Sequence, residues 1–232
     1  MANTSDATGR HYPAGDDSAD PPYLHPAYGS TVKRSPSRAP IALEHTVTEL
    51  SGPVFEADDT VENDLTVQGE GQPIGERIDV HGRILDEDGQ PFAGALVEMW
   101  QANAAGRYRH LTDSRDAPLD PNFFGAGRCV TDAEGRYSFK TIRPGAYPPP
   151  VAGWWRPAHL HFSVTGPSIV ARLITQMYFP GDPLLPLDAI YMSIEDESAR
   201  ERIVASYEPE LGEPGVSLGY KFDIVLRGRA AN

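Results

Sequence analysis

One cysteine in 232 residues, Cys129, rules out an internal disulfide framework and a multi-cysteine zinc site, and fits a reducing cytoplasm. No stretch approaches the roughly 18 apolar residues of a membrane-crossing helix, and the opening residues lack the basic, apolar, small-residue order of a secretory leader. The expectation is a soluble intracellular protein. Basic residues are few, 20 Lys and Arg against 33 Asp and Glu, for a formal charge of −13. That balance suits neither nucleic acid nor an anionic membrane. A small anionic substrate stays open, because inside a pocket one arginine dominates its own surroundings. Also missing are the phosphate-gripping GxxxxGK, the dinucleotide GxGxxG after a strand, HExxH and the GxSxG nucleophile elbow. Helical periodicity is scarce too; EDESARERIVAS at 195–206 is the best candidate, short and highly charged.

What is present is a series of short alternating segments cut by Gly, Pro and Asp turns. Ile78, Val80, Gly82 and Ile84 alternate against polar neighbours, DEDG at 86–89 turns the chain, and ALVEMW at 95–100 reads as the second strand of a hairpin. A second hairpin is expected from GRCVT at 127–131, DAEG at 132–135 and RYSFKTI at 136–142. His159 to Val164, Ile169 to Phe179 and YKFDIVLRG at 220–228 add further strands, while 41–51 reads as a short strand or a helical turn. The fold class is all-β, an antiparallel β-sandwich with long active-site loops and an extended N-terminal arm. The loops are 101–126 and 143–157, and loops of such length on a compact sheet tend to carry function. Residues 1–40 form the arm, poor in aliphatics yet carrying Tyr12, Tyr23, Leu24 and Tyr28, which need a partner surface to pack on. Residues 41–232 form a single catalytic domain.

The sharpest local feature is WWRPAHLHF at 154–162. On a strand, His159 and His161 share one face, about 6 to 7 Å apart, while Leu160 and Phe162 face the other way. The plain alternative is an ordinary strand with two half-buried, hydrogen-bonded histidines. Tyr108 in the first long loop and Tyr147 in the second offer phenolate oxygens, and Tyr178 a third ring. Two imidazoles and two phenolates make a hard donor set that suits Fe(III) better than Zn(II) or Cu(I). Only a strongly charged cation keeps a phenol of ordinary pKa near 10 ionised at neutral pH. Arg156 stands beside the wall of Trp154, Trp155 and Pro157, and a buried arginine needs an anion, which a substrate would supply. Gln176 and Tyr178 share a strand face near the histidines. Asp113, Asp116, Asp120 and Asp182 read as turn and loop caps, and Arg107, Arg109, Arg115 and Arg128 as salt-bridge partners. Cys129 reads as a small buried side chain.

Longer runs are more specific than the histidine pair. PIGERIDVHGRILD at 73–86, LVEMWQANAAGRYRH at 96–110, APLDPNFFGAGRCVTD at 117–132, IRPGAYP at 142–148, WRPAHLHFSVTGPS at 155–168 and LITQMYFPGDPL at 173–184 resemble the intradiol ring-cleavage dioxygenases, in particular their iron-bearing β-type subunits. The resemblance implies a β-sandwich that opens the ring of protocatechuate, or of catechol or hydroxyquinol, at a non-haem Fe(III). It makes Tyr108, Tyr147, His159 and His161 the iron ligands, with Tyr147 the one that departs when substrate binds. It gives Arg156 the stabilisation of charge on the bound ring and places Gln176 near the oxygen-binding side. Tyr28, Tyr178, Ile190 and Trp154 become substrate-pocket residues. It further implies a homologous α subunit, with αβ pairs in a larger oligomer. A distant alternative is a non-catalytic binding subunit, which would lack iron ligands and be colourless. One departure stands out: Pro149 occupies a place where related protocatechuate enzymes carry tryptophan, and Trp154 is the ring that could replace it.

Overall fold

The computed structural model describes residues 21–33, 35–38, 61–149, 153–166 and 172–226. Tyr12, the reading of 41–51, the first part of the 169–179 segment and residues 227–228 lie outside these. Nine strands are described: β1 (Arg77–Asp86), β2 (Leu96–Trp100), β3 (Ala126–Val130), β4 (Arg136–Ile142), β5 (His159–Thr165), β6 (Leu173–Tyr178), β7 (Ser206–Tyr207), β8 (Leu218–Lys221) and β9 (Ile224–Leu226). The one described α-helix, α1 (Glu197–Glu201), is shorter than the charged pattern of 195–206 suggests. Asp196 caps it by accepting the Ala199 N–H, and its turns bury only Ala199, too little apolar surface to extend it. Among the described residues no helix is long and apolar enough to cross a membrane.

Alternation along each strand buries one face, and two sheets close those faces against each other. One sheet runs β4-β1-β8-β7 with β9 also on β1; the other runs β3-β2-β5-β6. Ile78, Val80 and Ile84 of β1, Tyr137 and Phe139 of β4, Val97 and Met99 of β2, and Leu160 and Phe162 of β5 fill the space between. Each large apolar side chain fully buried there contributes about 1.5–3 kcal/mol. Gly82 lets the sheet close, since a Cβ there would stand 1.9 Å from the Phe222 carbonyl oxygen, which accepts the Tyr137 hydroxyl.

The β-sandwich matches the expectation from the sequence, with two differences in wiring. β1 pairs with β8 and with β9 in parallel, so that sheet is mixed. The two DxxG turns, expected to close hairpins, instead carry the chain from one sheet to the other. Both are built as expected locally: Asp86 accepts the Asp88 and Gln90 N–H groups, and Asp132 those of Glu134 and Arg136. After the first, Leu85 still bridges Pro91, and then Gly94 at φ 73° turns the chain across. Turn chemistry specifies the reversal; the strand after it joins whichever sheet buries its apolar face.

Candidate metal centre and substrate pocket

β5 lies between β2 and β6, so both histidines stand in the middle of a sheet, on the face turned away from the core. Cross-strand register pairs His161 with Trp100 on one side and Gln176 on the other, and His159 with Tyr178. Directly opposed residues share a face. Trp100 accordingly stacks on the His161 ring at 4.9 Å between centroids and 4° between planes. The two imidazoles lie 4.9 Å apart.

The tyrosines come from the two long loops. Tyr147 and Arg156 exchange a pair of backbone hydrogen bonds, 3.1 and 2.8 Å, closing the 143–157 loop over the start of β5. Asn103 fastens the other loop. Its Oδ1 accepts the Ala105 and Arg107 N–H groups, its Nδ2 donates to the Pro118 carbonyl, and its own carbonyl accepts the Gly106 and Gly145 N–H groups. One buried asparagine therefore joins three segments that carry or flank the tyrosines. Asp113 accepts the Tyr108 N–H and forms an ion pair with Arg115, whose guanidinium lies 4.3 Å above the Tyr147 ring. Arg115 pulls the Asp113 carboxyl well below the usual carboxylate range.

Four donor atoms converge. Tyr108 Oη is 3.0 Å from His161 Nε2 and 3.5 Å from His159 Nε2, and Tyr147 Oη is 3.3 Å from His159 Nε2. His159 Nδ1–H donates to the Pro157 carbonyl at 2.7 Å, leaving the Nε2 lone pair facing the cluster. Burial, then the Arg156 charge, holds His159 well below its ordinary range and His161 at about 3, so both rings are neutral. Burial first, then Tyr147, pushes the Tyr108 hydroxyl far above its ordinary range. A buried phenol in that state ionises only if a strong cation sits beside it. Among the described residues no cluster of three or more His, Cys, Asp or Glu forms an alternative metal site. The donor set, two neutral imidazoles and two phenol oxygens within one small volume, fits a ferric ion.

Arg156 lies against this cluster, 4 % exposed, with Nη1 3.0 Å from His159 Nε2. Its Nη2 donates to Gln176 Oε1, to Tyr178 Oη at 2.9 Å and to Asp188 Oδ2 at 3.2 Å, and its Nε is buried with no partner among the described residues. A cavity of about 780 Å³ opens beside the network, and Tyr28, Gln176, Tyr178 and Ile190 are among its lining residues. Neither Arg156, Trp154 nor any of the four donors lines it. Trp154 is half-buried, with an indole N–H that has no partner among the described residues.

Asp113, Asp120 and Asp182 cap turns and loops as expected, accepting backbone N–H groups of Tyr108, Ile74 and Leu184. Cys129 is buried. Arg115 is the salt-bridge partner expected, paired with Asp113. Three residues have roles at the site that sequence reasoning did not assign: Trp100 was within reach from the alternation of β2, whereas Asp188 and Asn103 act through contacts set by loop conformation.

A protein-family model described as a dioxygenase matches residues 50–228, and one described as the N-terminal part of the protocatechuate 3,4-dioxygenase beta subunit matches residues 13–46. The protocatechuate 3,4-dioxygenase beta chain of Burkholderia cepacia is 54% identical over 221 residues, covering 91% of this chain and 92% of that one. Catechol 1,2-dioxygenase 2 of Acinetobacter lwoffii is 35% identical over 153 residues, 60% of this chain and 53% of its own. Among solved structures, 3-chlorocatechol 1,2-dioxygenase from Rhodococcus opacus 1CP superposes with a TM-score of 0.57 at 25% identity, covering 76% of this chain and 70% of that chain. The chain belongs to the intradiol ring-cleavage dioxygenases, on the branch of the protocatechuate 3,4-dioxygenase beta chains.

Proposed function

We propose that this chain opens protocatechuate (3,4-dihydroxybenzoate) between its two hydroxyl-bearing carbons at a non-haem Fe(III) centre, giving 3-carboxy-cis,cis-muconate. Both atoms of dioxygen enter the product, so no external reductant is needed. The observation that carries the reading is the convergence of four donors, two phenolic and two imidazole, on a chain 54% identical to a protocatechuate enzyme over nearly its whole length. Tyr108, Tyr147, His159 and His161 would hold the ion. When bound, ferric iron supplies the Lewis acidity that ionises the catechol oxygens and draws ring electron density toward reaction with dioxygen.

The chain's own residues do the rest. Tyr147 Oη, on a loop rather than a strand, would be the donor able to yield to a substrate oxygen, and its phenolate would accept one of the two phenolic protons. A solvent hydroxide would accept the other, so no carboxylate base would be required. Arg156 meets the negative charge that develops on the ring. Burial opposes the charge of its guanidinium, but Tyr178 and Asp188 beside it outweigh that effect and keep it protonated. Gln176 and Tyr178 share that guanidinium and shape the side of the pocket where oxygen arrives. Tyr28 contributes a hydroxyl toward the substrate carboxylate, Ile190 an apolar edge, and Trp154 the ring that Pro149 does not supply. A homologous α subunit completes the pocket, in αβ pairs assembled into a larger oligomer. The setting is the cytoplasm, where Cys129 stays reduced.

Relatives at lower identity are named for catechol and for hydroxyquinol, and Pro149 stands where related protocatechuate enzymes carry tryptophan, so catechol and hydroxyquinol are the competing substrates. Mass and ultraviolet spectra of the product made from each of the three under oxygen decide the matter. The expected result is 3-carboxy-cis,cis-muconate from protocatechuate as the preferred substrate. A yellow semialdehyde, the product of cleavage outside the hydroxyl pair, overturns it.

A further inference from the structure

A guanidinium as deeply buried as that of Arg156 needs a counter-ion from the protein whenever no substrate is bound. Asp188 supplies it, 0 % exposed and 3.2 Å from Nη2. The carboxylate is itself held on two sides. Oδ1 accepts the Ile190 N–H at 2.8 Å, and Oδ2 accepts from Tyr178 Oη at 3.1 Å as well as from Arg156. The loop bearing it is fixed at its other end by Asp182, whose Oδ2 accepts the Ala158 N–H at 3.3 Å. Two acids of one loop thus grip the segment 156–158 that leads into β5.

We propose that Asp188 is the positioning residue for Arg156: it fixes the guanidinium in one orientation and offsets its charge, so that substrate meets an aimed donor. With Nη2 committed to Asp188, Tyr178 and Gln176, and Nη1 against His159 Nε2, the Nε–H is the guanidinium donor left without a partner among the described residues and free to meet the reacting ring. The hydrogen bonds of the Asp188 carboxylate go to Arg156, Tyr178 and Ile190 rather than to any of the four converging donors, and of these three Arg156 is the one that carries a charge for the carboxylate to aim and offset. The inference rests on the proposed function only in taking Arg156 to serve the substrate.

Asp188→Asn keeps the shape and removes the charge. Its amide can accept from Ile190 or from Arg156, but not from both without turning an N–H toward a donor. Measured on the iron-loaded protein, this variant is expected to lose about tenfold in kcat/KM, a loss of aim rather than of the guanidinium itself. Iron content and visible absorption stay as in the parent. Its Tm falls by about 10 °C, as expected when one member of a buried ion pair is removed. The decisive comparison is with Arg156→Leu. In that background Asp188→Asn is expected to cost no further kcat/KM and to raise Tm, because it removes a buried carboxylate left without its partner. Should Arg156→Leu alone fail to fold, recovery of soluble protein in the double variant supports the proposal equally, and no recovery goes against it. Losses in kcat/KM that multiply and losses in Tm that add overturn it. The Tm comparison reads the pair whatever substrate is turned over, so failure to turn over protocatechuate bears on the proposed function alone.

Discussion

His159 is committed to one protonation pattern by its neighbours. The Pro157 carbonyl accepts the Nδ1–H, burial and Arg156 prevent a second charge, and the remaining lone pair faces the cluster and the Arg156 Nη1 beside it. His161 is stacked flat on Trp100, which fixes the plane of its ring. Replacing His161 with leucine, or Tyr108 with phenylalanine, removes one proposed donor of four and little packing. Iron affinity is expected to fall at least tenfold and the tyrosinate-to-iron colour to fade. Metal analysis with a visible spectrum checks this, and full iron with unchanged colour in both variants removes the two residues from the donor set. The histidine pair is legible in the sequence because a strand's period of two is strict. The partner of Arg156 is not, because Asp188 stands 32 residues away and reaches it only through the fold of the loop after β6. Nothing in the local composition sets that aspartate apart from Asp182, which caps the same loop.

At the scale of elements, strands are easier to read than their connections. RYSFKTI coincides with β4, and the alternation of Ile78, Val80 and Ile84 is the buried face of β1. The crossing between sheets is not readable, since a DxxG turn has the same chemistry whether the next strand stays or crosses. The loops hold together by polar contacts that no periodicity announces, and Asn103 is the clearest case. Asn103→Ala leaves two backbone N–H groups and a carbonyl without partners, at a cost of about 2 to 4 kcal/mol. Tm is expected to drop by about 5 to 15 °C, with iron released more readily because the loop bearing Tyr108 loses its side-chain anchor, while the backbone bond from the Gly145 N–H to the carbonyl of residue 103 stays. Asn103→Asp keeps the acceptor and loses the donor, so it should fall between the two. Thermal melts with iron analysis test this, and a variant that melts with the parent would show that the loops have other support.

For the whole molecule, the described part of the arm runs from Pro21 and carries Tyr23 and Leu24 largely exposed, while Tyr28 reaches the cavity. Exposed rings on a segment with so few aliphatic residues favour a covering surface. With the α subunit as that surface, the chain produced alone is expected to be poorly soluble or weakly active, and co-production with α to restore both. Size and mass measurements distinguish the outcomes; a fully active assembly of this chain alone removes the partner requirement and leaves the metal centre as it is.

Two of the four converging atoms are borne by β5, bonded on both sides by neighbouring strands, and two by loops, one closed by the Tyr147–Arg156 bridge and the other held at Asn103. The compliance of the centre is therefore lopsided. The histidine half stands in a ladder bonded on both sides, whereas the Tyr147 half is tied to the sheet by one pair of backbone hydrogen bonds to Arg156. With Tyr147 the donor proposed to yield to a substrate oxygen, that exchange falls on one loop and leaves the sheet that carries the two histidines in register.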